Sequence, residues 1–288
     1  MRICRFNGNR LGLVQGDEIL DVTKALEILP SSSYPFPGHD VMIENLGELQ
    51  IAIEECSGSS KRLELSNIVL ESPVANPSKL IGAPVNYTKH LEEVRDDEAL
   101  NHANQAHMRQ IQEIGLFLKA TSSLIGAGSA VQLRMPDRRS DYEIELAVII
   151  GKDANNVKAE DALDFVAGYS ICFDMTIRGP EERSLRKSLD TYSVLGPWLV
   201  TSDEIPDPSS LDFELKVNGK TCQKANTSDL VLSVPELIEF ASKFYTLRPG
   251  DIIFTGTPEG VGPVVPGDIM HARVEGIGEM SVSVTSAS

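Results

Sequence analysis

The chain has 288 residues, 41% of them hydrophobic, with a formal net charge of −16 and a pI near 4.7. That apolar content excludes a disordered chain, and no run approaches the ~18 apolar residues of a membrane span. The acidic balance excludes a nucleic-acid binder that works by counterion release, so any anion site must be local, built from a metal or from clustered Lys and Arg.

The opening stretch, MRICRFNGNRLGLVQGDEIL, turns polar at once and lacks the long apolar run of a signal peptide, which predicts a cytoplasmic protein. Residues 1–70 read as a small N-terminal α+β domain. RICRF, RLGLVQG and EILDV are short alternating runs separated by the turn signals NGN and GDE. SSSYPFPGHD reads as a loop, and VMIENLGELQIAIEEC has helical spacing. SNIVLESPVANPSK then connects to a main body over 71–288.

Residues 88–115 are polar and helical by propensity, with little to bury. They predict a helical lid segment, or equally a solvated helix pair on the surface. Beyond them the runs are strand-like: GLFLKA, VQLR, YEIELAVIIGK, FVAGYSICFDMT, WLVT, DIIFTG and IMHARVEGIGEMSVSV. Asn218-Gly219 between strand-like flanks predicts a hairpin. SVPELIEFASKFY predicts a helix with Ser233 as N-cap and Pro235 in the first turn. The fold class is therefore β-rich α+β. No regular βαβ alternation points to a Rossmann or TIM arrangement. Cys4, Cys56, Cys172 and Cys222 are scattered without a CxxC pair, which predicts reduced thiols and no zinc site.

Four clusters bear on chemistry. In DYEIELAVII, Asp141, Glu143 and Glu145 alternate with apolar residues, so on one strand they share a face, Glu143 and Glu145 about 6–7 Å apart at the backbone. Spacing alone leaves two readings, a wet outer face or a cage for a hard cation such as Mg²⁺, which takes oxygen ligands. Asp174 is a candidate third ligand, because an acid in the run Val166 to Ile177 is buried only when paired or coordinated. Arg178, Arg183, Arg186 and Lys187 follow it and form the best local anion site in the sequence, although any one alone reads as a surface residue. TGTPEGVG, residues 255–262, is either a tight turn or a set of N–H groups, with the Thr257 hydroxyl, for a substrate carboxylate. His90 and Glu93 are three apart and share a helix face, either a surface pair or a carboxylate-oriented general base. No GxSxG elbow supports serine-nucleophile chemistry.

The ordered motifs NYTKHLEE, FLKATSSL, DYEIELAVIIGK, GYSICFDMTIR, RKSLDTYSVLGPWLVT, KVNGKTCQ, RPGDIIFTGTPEGVG and VEGIGEMSVSV span roughly residues 78–284. In that order they resemble the fumarylacetoacetate hydrolase family. The resemblance implies a mixed β-sandwich roll behind a small N-terminal domain, usually a homodimer. It implies Mg²⁺ or Mn²⁺ held by Glu143, Glu145 and Asp174, and Lys187 as active-site lysine. His90 and Glu93 match the lid pair of members that hydrolyse acylpyruvates. Lys119, Arg178 and Thr257 match positions that line the substrate pocket, and Asn86, Tyr87 and Glu181 are further candidates for substrate binding. Departures from the family pattern are Phe173 before the metal-binding Asp, Gly179 and Glu181 after the pocket arginine, and SVLGPW in place of Cys-Pro-Leu-Gly-Pro-Trp; they fall where the substrate tail would be selected.

The implied activity is metal-dependent hydrolysis of a carbon–carbon bond in an acylpyruvate or other 2,4-dioxo-acid through a metal-stabilised enolate. The partner is thus a small 2-oxo-acid. Alternatives within the family are decarboxylation of oxaloacetate-like acids, or isomerisation or hydration of unsaturated 2-oxo-dicarboxylates in aromatic catabolism. Outside it stands a metabolite-binding protein without turnover.

Overall fold

The computed structural model describes residues 1–96, 100 and 109–287. Part of the expected lid, 97–99 and 101–108, lies outside the described residues. Its ends are helical at Thr88–Asp96 and Ile111–Ile114.

The centre of the molecule is set by its most apolar stretch. All seven residues of the strand Ile144–Ile150 are buried, each aliphatic side chain contributing roughly 1.5–3 kcal/mol. Alternation sends Ile144, Leu146, Val148 and Ile150 into one apolar layer and Ala147 and Ile149 into another. The strand is antiparallel to Val166–Asp174 on one side and Ile252–Phe254 on the other. Ser193–Thr201 pairs with the far side of Val166–Asp174.

The sheet continues through residues near the start of the chain. Arg2–Phe6 pairs antiparallel with Ser193–Thr201, placing Ile3 opposite Leu199. Arg10–Gln15, Glu18–Asp21 and Lys61–Glu64 add on in turn. At the other edge, Leu80–Gly82 and Phe117–Lys119 extend it beyond Ile252–Phe254. A second sheet holds the hairpin Asp212–Val217/Lys220–Asn226, turned at Asn218-Gly219 as the sequence predicts, with Ile269–Val274, Gly278–Ser286 and Val131–Leu133. The larger core lies between the two sheets, with Tyr169, Phe173, Phe213, Met270 and Val282 among its members. The smaller core lies on the opposite face of the first sheet, where Leu46, Leu49 and Ile53 of the helix Leu46–Ser57 pack. Helix Val234–Phe244 begins at Ser233, whose N–H and hydroxyl both donate to the Glu236 carboxylate.

One local expectation is corrected. DYEIELAVII is not a single strand: Ser140–Tyr142 belongs to a three-stranded sheet with Thr176–Ile177 and Gly262–Pro263, and pairing resumes only at Ile144. At the break, the Glu143 carbonyl accepts from the Asp174 N–H at 2.9 Å, and the Ile144 N–H donates to Gln223 Oε1 at 3.1 Å. The chain changes sheets at Glu143, so Asp141 is fully buried rather than the wet start of a strand.

Candidate metal centre

The break at Glu143 and the end of the strand Val166–Asp174 bring three acids together. Ligand atoms of Glu143, Glu145 and Asp174 lie within 4.8 Å of one another, and the residues are 5%, 2% and 1% exposed. Three carboxylates this close and this dry repel strongly unless cations intervene.

Two lysines supply part of the balance. Lys187 Nζ donates to Glu143 Oε2 and Asp174 Oδ2, both at 2.7 Å, and to Thr176 Oγ1 at 2.6 Å. Lys119, from the opposite sheet edge, donates to Asp174 Oδ1 and to the Tyr192 carbonyl at 2.8 Å. Burial pushes the Lys119 ammonium below its ordinary value, against the pull of Asp174, and neighbouring Lys187 adds to the lowering. Glu143 also accepts from Arg178 Nη2 at 3.1 Å. Burial acts to raise the Glu143 carboxyl, but Lys187, Arg178 and His90 outweigh it and hold it down to about 2.

Glu145 differs. It accepts the Gly256 N–H at 2.6 Å but has no cationic partner in ion-pair contact among the described residues. Burial, with Asp174 and Glu143 beside it, drives its carboxyl well above the usual range. Gly256 can aim its N–H there because its φ is +101°; a Cβ would meet Asn86 Cβ at 2.7 Å. Lys187, Lys119 and Arg178 thus pair with Glu143 and Asp174, while Glu145 is left without a cation in ion-pair contact among the described residues. All the donors are oxygens and the uncompensated charge is negative, which fits a hard divalent cation.

The pocket above the acids is also lined by His90, Thr257, Arg178, Arg183, Arg186 and Lys187. His90 Nδ1 is 2.8 Å from Glu93 Oε2, and Glu93 Oε1 accepts the Gly260 N–H at 3.0 Å. The helix Thr88–Asp96 is thus tied to the glycine-rich loop. On that loop the Thr257 hydroxyl donates to the Ile144 carbonyl at 2.9 Å and accepts from Gln223 Nε2 at 2.8 Å.

A profile described as Fumarylacetoacetate (FAA) hydrolase C-terminal matches residues 79–285. The chain belongs to the fumarylacetoacetate hydrolase family. It is 58% identical over 286 residues to a maleylpyruvate hydrolase of Aquipseudomonas alcaligenes, covering 99% of this chain and 100% of the relative. A crystal structure of maleylpyruvate hydrolase from Sphingobium sp. SYK-6, in complex with manganese(II) ion and pyruvate, is 42% identical with a TM-score of 0.84, both chains covered in full. A mitochondrial oxaloacetate tautomerase of Xenopus laevis is 33% identical, covering 98% of this chain and 89% of the relative. The β-rich mixed architecture expected from the sequence is that of the family.

In this family member the other expected pocket residues separate into two groups. Lys119, Arg178 and Thr257 touch the acids or line the pocket. Asn86, Tyr87 and Glu181 are not on the pocket wall. Asn86 clamps backbone, donating to the Leu232 and Thr255 carbonyls and accepting the Leu232 N–H. Tyr87 packs edge-on against Phe213. Glu181 forms a two-bond pair with Arg138 at 2.8 and 2.7 Å.

Two residues that the sequence left without roles sit behind the site. Gln223 joins Ile144, Thr257 and the Pro258 carbonyl; nothing in KTCQKAN marks it, because its partners are remote in sequence. Asp141 accepts from Arg139 at 2.7 and 2.9 Å and from Arg178 Nε at 2.8 Å, while Arg178 reaches on to Glu143. Asp141 therefore holds Arg178 against Glu143. Asp141→Asn is expected to raise KM by about tenfold with a smaller change in kcat, as a charge-assisted bond to the positioned guanidinium is weakened. Asp141→Glu should recover part of that loss. Steady-state kinetics of both variants checks this; a kcat loss with unchanged KM would remove the positioning role.

Proposed function

We propose that this family member is a divalent-metal-dependent hydrolase that cleaves the carbon–carbon bond of an acylpyruvate, releasing pyruvate and a carboxylic acid. The observation that carries the reading is His90, which lines the same pocket as the three acids and has its Nδ1 2.8 Å from Glu93 Oε2. The 58% identity to a maleylpyruvate hydrolase supports it.

Glu143, Glu145 and Asp174 would hold Mg²⁺ or Mn²⁺, which when bound supplies a Lewis acid for the oxygens of the 2-oxo-acid. The protein's own groups account for the rest. Thr257 and the glycine-rich loop orient the pyruvyl end. Glu93 takes the Nδ1–H of His90, leaving Nε2 as a base for water. That water attacks the distal carbonyl and its proton passes to His90. The bond to the methylene carbon then breaks and its electron pair stays with the pyruvyl fragment. Lys187 offsets the negative charge that develops there, and His90 returns the proton to the methylene carbon. Decarboxylation of an oxaloacetate-like acid needs no attacking water, so it does not explain a histidine oriented in this way.

The working unit in this reading is a cytoplasmic homodimer, which sedimentation velocity tests. Activity is tested by pyruvate release from acylpyruvates and from oxaloacetate, with Mg²⁺ and Mn²⁺ compared. Acylpyruvates are expected to be turned over at least about tenfold faster in kcat/KM. Oxaloacetate preferred over every acylpyruvate would overturn the assignment.

A further inference from the structure

Two departures from the family pattern, Gly179 and Glu181, fall in the loop 178–182 between the strand Thr176–Ile177 and the helix Arg183–Lys187. Neither lines the pocket, yet they meet in one contact. Arg138 lies across the loop. Its Nη1 donates to Glu181 Oε1 at 2.8 Å, and its Nη2 donates both to Glu181 Oε2 and to the Arg178 carbonyl, each at 2.7 Å. The guanidinium fills the space that a side chain at 179 would take, since a Cβ there would overlap Arg138 Nη2 and Glu181 Oε2. Glycine at this position lets the planar fork close on the backbone.

The same loop carries two arginines of the pocket wall. Arg178 gives its carbonyl to Arg138 and sends its own guanidinium to Asp141 and Glu143. Arg186 lines the pocket and is 3% exposed, and its Nε donates to the Glu181 carbonyl at 2.9 Å. Glu181 is therefore held on the solvent side through its carboxylate and holds the pocket wall through its backbone. Hydrogen bonds from Arg138 keep its carboxyl down to about 2, so the fork stays ionised at neutral pH. The Arg138 and Glu181 side chains are 29% and 35% exposed, a setting in which an ion pair adds little to global stability. Its effect is local: with 178 and 181 tied to one guanidinium, the loop cannot shift without breaking the fork.

We propose that Arg138, Gly179 and Glu181 form a latch outside the pocket that fixes Arg178 and Arg186 on its wall, so that substrate meets guanidinium groups already in place. All three are positioning residues, since none of them lines the pocket. The kinetic half of the test rests on the acylpyruvate reading of the site; the exchange half does not.

The test uses wild type, Arg138→Gln, Arg138→Lys, Glu181→Gln, Gly179→Ala and the double variant Arg138→Gln/Glu181→Gln, with Mn²⁺ present and maleylpyruvate as substrate. Gly179 lies outside the left-handed region, so alanine opens the fork without straining the backbone. Arg138→Gln, Glu181→Gln and Gly179→Ala are each expected to raise KM by about fivefold, the most that a partly exposed pair supplies, with kcat within about twofold of wild type. The double variant should be no worse than either single one, because both remove the same contact. Arg138→Lys should fall between, since an ammonium can meet Glu181 but lacks the fork that also reaches the Arg178 carbonyl. Hydrogen exchange followed by mass spectrometry gives a readout without turnover: amides of residues 178–187 should exchange about fivefold faster in the three single variants, with Tm unchanged within a few degrees. Additive losses in the double variant, a fall in kcat at unchanged KM, or unchanged exchange over 178–187 would overturn the latch. Failure of wild type to release pyruvate, with faster exchange in the variants, would instead overturn hydrolysis and leave the latch standing.

Discussion

Glu143→Gln and Glu145→Gln are both expected to lower pyruvate release by at least about 10³-fold, because each removes an anionic oxygen ligand from a three-carboxylate site. Their effects on stability should have opposite signs. Glu143 accepts from Lys187 at 2.7 Å, Thr176 at 3.0 Å and Arg178 at 3.1 Å, all in a buried setting. A neutral amide there leaves two buried cations under-compensated, a change that costs roughly 3–5 kcal/mol when a buried pair is broken. Glu145 has the Gly256 N–H as its hydrogen-bond donor, and burial and two repelling acids outweigh the more distant pull of Lys187. A glutamine keeps an acceptor for that N–H and removes the uncompensated charge. In EDTA, Glu145→Gln should therefore melt at or above wild type and Glu143→Gln well below it. With saturating Mn²⁺, wild type should gain Tm and Glu145→Gln should not, since a ligand stabilises only the state that binds it. Full activity in either variant, or in wild type after thorough chelation, would sink the metal site. The reverse order of Tm values in EDTA would sink the charge accounting.

His90→Ala should lose acylpyruvate hydrolysis by about 10²–10⁴-fold, the usual contribution of a positioned general base. Any oxaloacetate decarboxylation by the same preparation should fall by no more than about tenfold, since that reaction has no water to activate. Added imidazole should restore part of the hydrolysis in the alanine variant. Glu93→Gln should fall between wild type and His90→Ala. It weakens the grip on Nδ1 at 2.8 Å and also the tie to the Gly260 N–H at 3.0 Å. Equal loss of both reactions in His90→Ala, with no imidazole rescue, would assign the histidine to binding rather than to water.

These predictions differ in how far they could be read before the fold was known. Glu143, Glu145, Asp174, His90 and Glu93 are legible because each stands out locally: acids alternating into an apolar run, an acid where a strand should be apolar, a pair three residues apart on a helix. The hairpin at Asn218-Gly219 and the cap at Ser233 are legible for the same reason, since turn and cap chemistry is set by the residues in them. Lys119 was placed in the pocket by resemblance, but its bond to Asp174 spans 55 residues and follows from the pairing of Leu80–Gly82 with Phe117–Lys119.

The β-rich class follows from local periodicity and the family from ordered short motifs, so both are legible in the sequence, which also singles out Glu143, Glu145, Asp174, His90 and Glu93 as candidates. Long-range contacts account for the rest: Asp141 leaves the acid face and holds Arg178, Gln223 braces Thr257, Arg2–Phe6 extends the central sheet, and Glu181 turns away to Arg138. Periodicity tells which face of a strand is apolar; it carries no information about which strand lies alongside or where a chain changes sheets. At Glu143 that change rests on two hydrogen bonds to residues 31 and 79 positions away, beyond the reach of any local pattern.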